Sequence, residues 1–323
     1  MKRIVVHTPG GPGQMVLEDG PAPVPGPADV VIDVVAAGVN FIDVYFRSGQ
    51  YKAEVPLTLG SEAAGTVSAV GADVRDLKPG DRVAYAMVRG AYAEQVVVPA
   101  AMVVRVPDAV PLETAAAAML QGMTAHYLTR STFPLEAGQT CLVHAAAGGA
   151  GGLIVQMARR LGVRTIGTVS TDAKAQEARA LGCDEVIKYT EQDFEVEVKA
   201  LTGGRGVDVV YDSVGRTTFE KGLAVLRPRG VMALFGQSSG AVAPIDPQIL
   251  NTRGSVYLTR PSLAHYVATT DELRWRAAEI FDAIIGGDLT IRVSATYPLA
   301  EAARAHEALE GRKTVGKLLL GVR

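Results

Sequence analysis

The sequence predicts an α/β protein in two parts: a small β-barrel or curled sheet from the start of the chain, then a doubly wound α/β domain. Three observations carry this. Residues 1–100 hold short apolar strand candidates between Gly/Pro turns, with no helical period. From Gln139 onward six strand candidates alternate with helical stretches, the connection that parallel strands require. The first of those strands runs into a glycine cluster that opens a helix, "LVHAAAGGAGGLIVQMARRLG" from Leu142 to Gly162.

Taken in order, "RIVVHT", "DVVIDVVAAGV", "AAGTVSAVG", "DRVAYAM" and "AYAEQVVVP" read as strands, with "PAPVPGPAD", "LKPGD" and "VRGA" as turns. "PLETAAAAMLQGMTAHYLTRST", from Pro111, reads as helix because Ala and Leu dominate and apolar residues recur three and four apart. The strands "TCLVHAA", "RTIGTVS", "EVIKY", "VDVVYDSV", "GVMALFG" and "GSVYLTR" follow, with helices from Gly149, Thr171, Glu191 and Thr217 between them. Several are apolar without alternation, as strands buried on both faces are. After Pro261 come the helix "TDELRWRAAEIFDAIIGGD", the strand "IRVSATYPL", the helix "EAARAHEALEGR" and a last strand, "KLLLGV". This tail is expected to return to the first part. The division expected is 1–122 with 261–323, and 123–260.

Composition narrows the function classes. The 323 residues are 48% hydrophobic and 20% charged, with 35 glycines, a globular profile rich in tight turns. The net charge of −2 offers no basic surplus for nucleic acid or an anionic membrane. No segment reaches the ~18 uninterrupted apolar residues of a membrane span, and the N-terminus lacks a signal-peptide pattern, so a cytoplasmic location is expected. Cys141 and Cys183 stand far apart with no Cys-x-x-Cys spacing, and both are expected as inert core thiols.

Read as G-x-G-x-x-G, the cluster gives Ala146, Gly148 and Gly151, with Gly149 in addition. The middle glycine lets backbone approach a pyrophosphate, and the third lets the helix pack on the sheet. Ala146 replaces the first glycine, a departure that a slightly wider turn absorbs. NAD-specific turns place an acid at the end of the second strand. Here that strand ends in Ser170, whose hydroxyl can donate to a 2′-phosphate, and Lys174 follows within the first turn of the next helix. Tyr189, after the third strand, can close the pocket. Asp172 is acidic and near, and is read as a first-turn residue favoured by the helix dipole. This pattern predicts NADPH over NADH.

Several stretches together resemble the zinc-free medium-chain dehydrogenase/reductase family, and within it the NADPH:quinone oxidoreductases of zeta-crystallin type. They are "AAGVNFIDVYFRSGQY" (36–51), "LGSEAAGTVSAVG" (59–71), "GDRVAYA" (80–86), "AAAGGAGG" (145–152), "VVYDSVG" (209–215), "FGQSSG" (235–240), "YLTRPSL" (257–263) and "AARAHEALEGRKTVGKLLL" (302–320). The resemblance implies a GroES-like β-barrel catalytic domain made of both chain ends, with a Rossmann domain inserted. Zinc-dependent relatives carry a Cys in the first domain and a Gly-His-Glu motif. Here the matching triplet is Gly60-Ser61-Glu62 and no Cys precedes 141, so Glu62 is expected to be structural and no metal ligands are expected.

The resemblance further implies site residues. Asn40, Tyr45, Tyr51 and Arg260 fall on the substrate side, and Thr124, Gly236 and Ser238 on the coenzyme side. Asn40 can hydrogen-bond the nicotinamide ribose or the substrate, and Thr124 can contact the nicotinamide. Tyr45 and Tyr51 can wall the pocket, a phenol donating to the reduced oxygen, while Arg260 can stabilise a developing quinolate. Asp43 is read as a turn or cap residue, and His144 and His306 as hydrogen-bonded structural residues. The implied activity is hydride transfer from NADPH to a quinone without a metal. Reduction of activated carbon–carbon double bonds in enals and enones is the alternative within the same chemistry, and a non-catalytic structural or RNA-binding role the alternative outside it. A homodimer or homotetramer is expected, paired through the edge strand "GSVYLTR".

Overall fold

The computed structural model describes residues 1–312 and 314–322; position 313, inside the 302–320 stretch above, and position 323 lie outside the described residues. The chain divides into two compact units, Met1–Met123 with Tyr266–Arg323, and Thr124–His265.

The first unit begins with β1 (Lys2–Val6), β2 (Met15–Asp19), β3 (Asp29–Val39), α1 (Phe41–Ser48), β4 (Leu57–Thr58), β5 (Glu62–Val70), β6 (Arg82–Ala86), β7 (Gln95–Pro99), β8 (Val103–Arg105) and α2 (Leu112–Tyr127). β1 lies between β2 and β4, antiparallel to both. β3 is the long central strand of a second sheet, antiparallel to β5 and β7. Its register against β5 shifts twice, and such bulges bend a strand and increase its twist. At Gly65 a Cβ would come within 2.0 Å of the Asp33 carbonyl, so only glycine tolerates that approach.

One expectation is corrected here. Residues 1–100 show no helical period, yet Phe41–Ser48 is a helix. Asn40 enters it in an extended conformation, the Asp43 carboxylate accepts the Asn40 backbone N–H at 3.0 Å, and Gly49 ends it at φ 79°. Two turns are too few to establish a period. Its charged residues, Asp43 and Arg47, are buried, which inverts the stripe a hydropathy pattern detects.

The second unit is doubly wound. Its elements are β9 (Thr140–His144), α3 (Gly149–Arg160), β10 (Arg164–Val169), α4 (Asp172–Ala180), β11 (Glu185–Lys188), α5 (Phe194–Leu201), β12 (Val207–Asp212), α6 (Phe219–Ala224), β13 (Leu226–Leu234), α7 (Gln248–Thr252), β14 (Tyr257–Thr259) and α8 (Leu263–Tyr266). The sheet order is β11-β10-β9-β12-β13-β14 and every neighbouring pair is parallel. All residues of β9 and β12 are buried, which explains their unalternating apolar sequences. The order reverses between β9 and β12, and such a reversal opens a ligand crevice at the carboxyl ends of the strands.

The chain then forms α9 (Thr270–Ile285), β15 (Val293–Pro298), α10 (Ala302–Glu310) and β16 (Lys317–Gly321). β16 pairs antiparallel with β3, so the tail does rejoin the first sheet, and Leu318 and Leu320 enter the same core as Ile32, Val39 and Tyr85. The fold is thus α/β: a curled antiparallel sheet built by both chain ends, and a parallel Rossmann-type sheet.

Candidate active site

The glycine turn joins β9 to α3. Ala145 takes a left-handed φ of 54°, the Gly148 N–H donates to the Ala145 carbonyl at 2.8 Å, and Gly152 N–H donates to Gly148. No side chain caps α3, so the N–H groups of its first turn have no partner within the helix. A Cβ on Gly151 would stand 2.3 Å from the Ala145 carbonyl, against 3.1 Å for one on Gly148. Gly151 is therefore what lets the helix press on the turn. Ala146 is fully buried, and its methyl lies 2.6 Å from where a Cβ of Gly167 would be. A missing side chain on β10, rather than a wider turn alone, makes room for the alanine.

At the end of β10, Ser170 and Lys174 flank the start of α4, where the Thr171 hydroxyl accepts the Lys174 backbone N–H. Tyr189 follows β11, is 47% exposed, and donates its N–H to the Val169 carbonyl. Asp172 sits on the first turn of α4, and Lys188 Nζ holds its carboxylate at 2.7 Å. That hydrogen bond and charge keep the Asp172 carboxyl below its ordinary range. Lys188 Nζ also holds Glu191, at 2.8 Å, so one ammonium pairs with both carboxylates of this corner.

Past β13, the N–H groups of Phe235 and Gly236 donate to the Asp212 carbonyl, and that of Ser238 to Ser213. A Cβ on Gly236 would lie 2.5 Å from the Ser213 carbonyl, so the loops after β12 and β13 touch along their backbones. Arg260 follows β14 directly and is exposed; Thr124, in α2, is buried. The carboxyl ends of β9, β10, β11, β13 and β14 each carry at least one of the residues read as coenzyme- or substrate-facing. In the first unit Asn40, Tyr45 and Tyr51 come together around α1. The Tyr45 and Tyr51 rings are 5.1 Å apart, Phe41 is 6.2 Å from Tyr45, and Tyr51 N–H donates to the Tyr45 carbonyl.

Two family models match: an alcohol dehydrogenase GroES-like domain over residues 26–108, and a zinc-binding dehydrogenase over 149–275. A quinone oxidoreductase from Pseudomonas aeruginosa is 46% identical, covering 99% of both chains. A 2-haloacrylate reductase from a Burkholderia species is 44% identical, covering 98% of this chain and 97% of its own. The crystal structure of Escherichia coli quinone oxidoreductase complexed with NADPH superposes with a TM-score of 0.98 at 44% identity, over the whole of both chains. The chain belongs to the quinone oxidoreductases of the medium-chain dehydrogenase/reductase family.

In this medium-chain member the Gly-Ser-Glu triplet opens β5, and Glu62 is fully buried with its carboxylate taken up by the protein. Oε2 receives Lys317 Nζ at 2.5 Å and Asn40 Nδ2 at 2.9 Å, and Oε1 receives the Leu120 backbone N–H. A Cβ on Gly38 would lie 2.1 Å from Oε2, so glycine leaves the space this carboxylate fills. Asn40 in turn spends both amide hydrogens, on Glu62 and on the Gly38 carbonyl, and its oxygen accepts Lys317 Nζ at 2.7 Å. Among the described residues, no group of three or more His, Cys, Asp or Glu is placed to hold a metal ion.

Beside it lies a second buried cluster that sequence reasoning missed. Asp43 is wholly buried and accepts Ser61 Oγ at 2.7 Å, Tyr92 Oη at 3.1 Å and the Asn40 N–H. Burial outweighs these donors and raises its carboxyl from 3.8 to about 6. His306 bridges Tyr92 and Arg47, and burial, then the Arg47 charge, pulls its imidazole down to about 3. Arg47 forks onto Glu310 at 2.8 and 3.0 Å. The only signal in the sequence was isolated charged residues in apolar surroundings. Cys141 and Cys183 are buried, and desolvation pushes both thiols up, Cys183 to about 11.

Proposed function

We propose that this chain is an NADPH-dependent quinone reductase: it transfers hydride from NADPH to a quinone and needs no metal ion for the step. The observation that carries the reading is the glycine turn on the first strand of a 3-2-1-4-5-6 parallel sheet, in a chain alike over its whole length to quinone oxidoreductases. The residues fit the coenzyme. The uncapped start of α3 and the backbone cradle at Gly151 suit a pyrophosphate. Ser170 and Lys174 suit a 2′-phosphate, and Lys188 pairs with Asp172, a carboxylate that would otherwise repel it.

NADPH supplies the hydride, and the chain binds, orients and keeps water away. Residues 123–260 serve the coenzyme: Ala146, Gly148, Gly149 and Gly151 at the pyrophosphate, Ser170, Lys174 and Tyr189 at the adenosine end, Gly236, Ser238 and Thr124 toward the nicotinamide. Residues 1–122 and 261–323 serve catalysis. Tyr45 and Tyr51 offer flat apolar rings for the quinone, and the Tyr51 hydroxyl donates to its oxygen. Arg260 stabilises the developing quinolate, which a strongly electrophilic quinone needs more than a Lewis acid. Asn40 fixes the start of α1, with its amide oxygen held by Lys317.

Turnover of 1,4-naphthoquinone against 2-alkenals and a 2-haloacrylate, NADPH held fixed, tests the substrate class. Higher kcat/KM for the naphthoquinone supports the reading. Higher kcat/KM for the alkenes supports the second reading, a reductase of activated double bonds, which the 44% identity to a 2-haloacrylate reductase favours. We further propose a cytoplasmic enzyme; no helix among the described residues is long and apolar enough to cross a membrane. We also propose a homodimer or homotetramer paired through β14, the terminal strand of its sheet, where Tyr257 is 62% exposed. Sedimentation showing monomer alone at micromolar concentration contradicts that pairing.

A further inference from the structure

The side-chain amide of Asn40 is fully occupied. Such a group has two hydrogens and an oxygen with two lone pairs. Nδ2 donates to Glu62 Oε2 at 2.9 Å and to the Gly38 carbonyl at 3.3 Å. Oδ1 accepts Lys317 Nζ at 2.7 Å and Gln121 Nε2 at 3.4 Å. The neighbours fix this orientation. An ammonium only donates, so the atom facing Lys317 is the oxygen; a carboxylate only accepts, so the atom facing Glu62 is the nitrogen. Asn40 is 3% exposed, and a ligand finds no hydrogen to accept there.

The same run of donors and acceptors orients Gln121. Because Asn40 Oδ1 can only accept, the atom that Gln121 turns toward it is Nε2. Among the described residues this is the one hydrogen bond that the Gln121 side chain makes. Nε2 therefore keeps a hydrogen, and the residue is half-buried, open to a ligand. At 3.4 Å the bond to Asn40 is long, so little is lost when the amide bends toward a stronger acceptor.

The backbone beneath this amide is held more firmly. Glu62 Oε1 accepts the N–H of Leu120, the residue before it. A Cβ on Gly122, the residue after it, would stand 3.3 Å from Ile280 Cδ1 of α9. One buried carboxylate thus places both amides, Asn40 through its side chain and Gln121 through the neighbouring peptide. A donor held in advance needs no reorganisation when charge develops beside it.

Asn40 also starts α1, where Phe41 and Tyr45 stand four residues apart on one face. Their rings are 6.2 Å apart, and Tyr51 lies 5.1 Å from Tyr45. A single residue thereby joins a wall of flat rings to an amide with a spare hydrogen. The rings suit a planar conjugated system, and the hydrogen suits a carbonyl oxygen at its edge.

We propose that Gln121 is a substrate-contacting residue. Its spare Nε2 hydrogen bonds the carbonyl oxygen of the conjugated substrate and stabilises the negative charge that hydride transfer places there. No bond to Gln121 forms or breaks: it lends a hydrogen bond and keeps its proton, while NADPH supplies the hydride. The proposal rests on the reductase reading above, and the accepting oxygen is that of a quinone or an enal alike.

The test is Gln121→Leu, near in size and without the donor, assayed at fixed NADPH with 1,4-naphthoquinone and with a 2-alkenal. For whichever substrate the parent reduces, kcat/KM falls about tenfold or more, the scale of one lost contact to developing charge. The NADPH dissociation constant stays within about twofold, and the urea midpoint is nearly unchanged because Asn40 Oδ1 keeps Lys317. Gln121→Glu sets a carboxylate against Asn40 Oδ1 and the substrate oxygen, so at about pH 8 its kcat/KM lies below that of Gln121→Leu. Turnover of Gln121→Leu within about twofold of the parent overturns the proposal. So does an NADPH dissociation constant that rises as far as kcat/KM falls, which puts Gln121 on the coenzyme. So does a urea midpoint that drops along with activity, which makes the residue structural. The functional reading is judged apart. A parent that reduces the alkenal alone contradicts the quinone reading, and the ratio read on the alkenal still judges Gln121. A parent that reduces both, with Gln121→Leu equal to it on both, removes Gln121 and leaves the reductase reading standing. A parent that reduces neither overturns both.

Discussion

Lys317 and Glu62 form an ion pair in which both side chains are shut off from water, 1% and 0% exposed, with Nζ 2.5 Å from Oε2. The pair joins the last strand of the chain to β5, and through Asn40 and the Leu120 N–H it also ties down α1 and α2. Lys317→Met leaves the Glu62 charge buried without its cation. We expect a loss of ~3–5 kcal/mol in urea unfolding, and recovery of a large part of it in Lys317→Met/Glu62→Gln. A loss below ~1 kcal/mol would show that this pair is not what holds the two helices.

Lys174→Ala is expected to raise the NADPH KM by about ten- to a hundredfold, the worth of one charge-assisted contact to a phosphate, and to leave the NADH KM nearly unchanged. Asp172→Asn is expected to change NADPH binding little, because Lys188 already holds that carboxylate. Equal effects of Lys174→Ala on both coenzymes rule the assignment out.

Gly151→Ala and Gly148→Ala make a graded pair. The first puts a methyl 2.3 Å from a backbone carbonyl that cannot move without the turn; the second meets the same carbonyl at 3.1 Å. Gly151→Ala is expected to lose NADPH binding and to unfold more easily, and Gly148→Ala to keep its stability within about 1 kcal/mol. Thermal unfolding and calorimetric titration separate the two.

Tyr51→Phe and Arg260→Ala are expected to reduce quinone turnover by about tenfold or more each, the scale of one lost contact to developing charge. NADPH dissociation should change little in either. Unaltered turnover in both removes them from the site.

The two shifted groups of the buried cluster act on stability with opposite sign. Asp43 is raised from 3.8 to about 6, so its contribution is full below 3.8 and is lost as pH rises through 6. His306 is lowered from 6.5 to about 3, so its contribution is present above 6.5 and is lost as pH falls through 3. Between about pH 6 and 4 they oppose each other. Asp43→Asn leaves His306 alone, and its stability relative to the parent should fall by ~1.4 kcal/mol per pH unit across that window. Urea midpoints at pH 6, 5 and 4 that shift in parallel for the two proteins contradict this.

The Rossmann half was legible because its signals are local. Buried parallel strands read as unbroken apolar runs, and the glycine turn sits on one of them. Helix α1 was not, because Asp43 and Arg47 face inward and an eight-residue helix cannot display a period. The polar cluster was least legible of all. Arg47 and His306, or Asn40 and Lys317, meet across more than 250 residues, 259 and 277 positions apart. Nothing in either local sequence names its partner. Asp172 was a local puzzle with a nearly local answer, Lys188, sixteen residues on.

The decisive measurement is coenzyme oxidation by the purified protein with 1,4-naphthoquinone, run with NADPH and with NADH. The account predicts oxidation that depends on the quinone, with kcat/KM for NADPH above that for NADH by about tenfold or more, the least that one phosphate contact supplies. Quinone-independent oxidation, or equal kcat/KM for the two coenzymes, contradicts it.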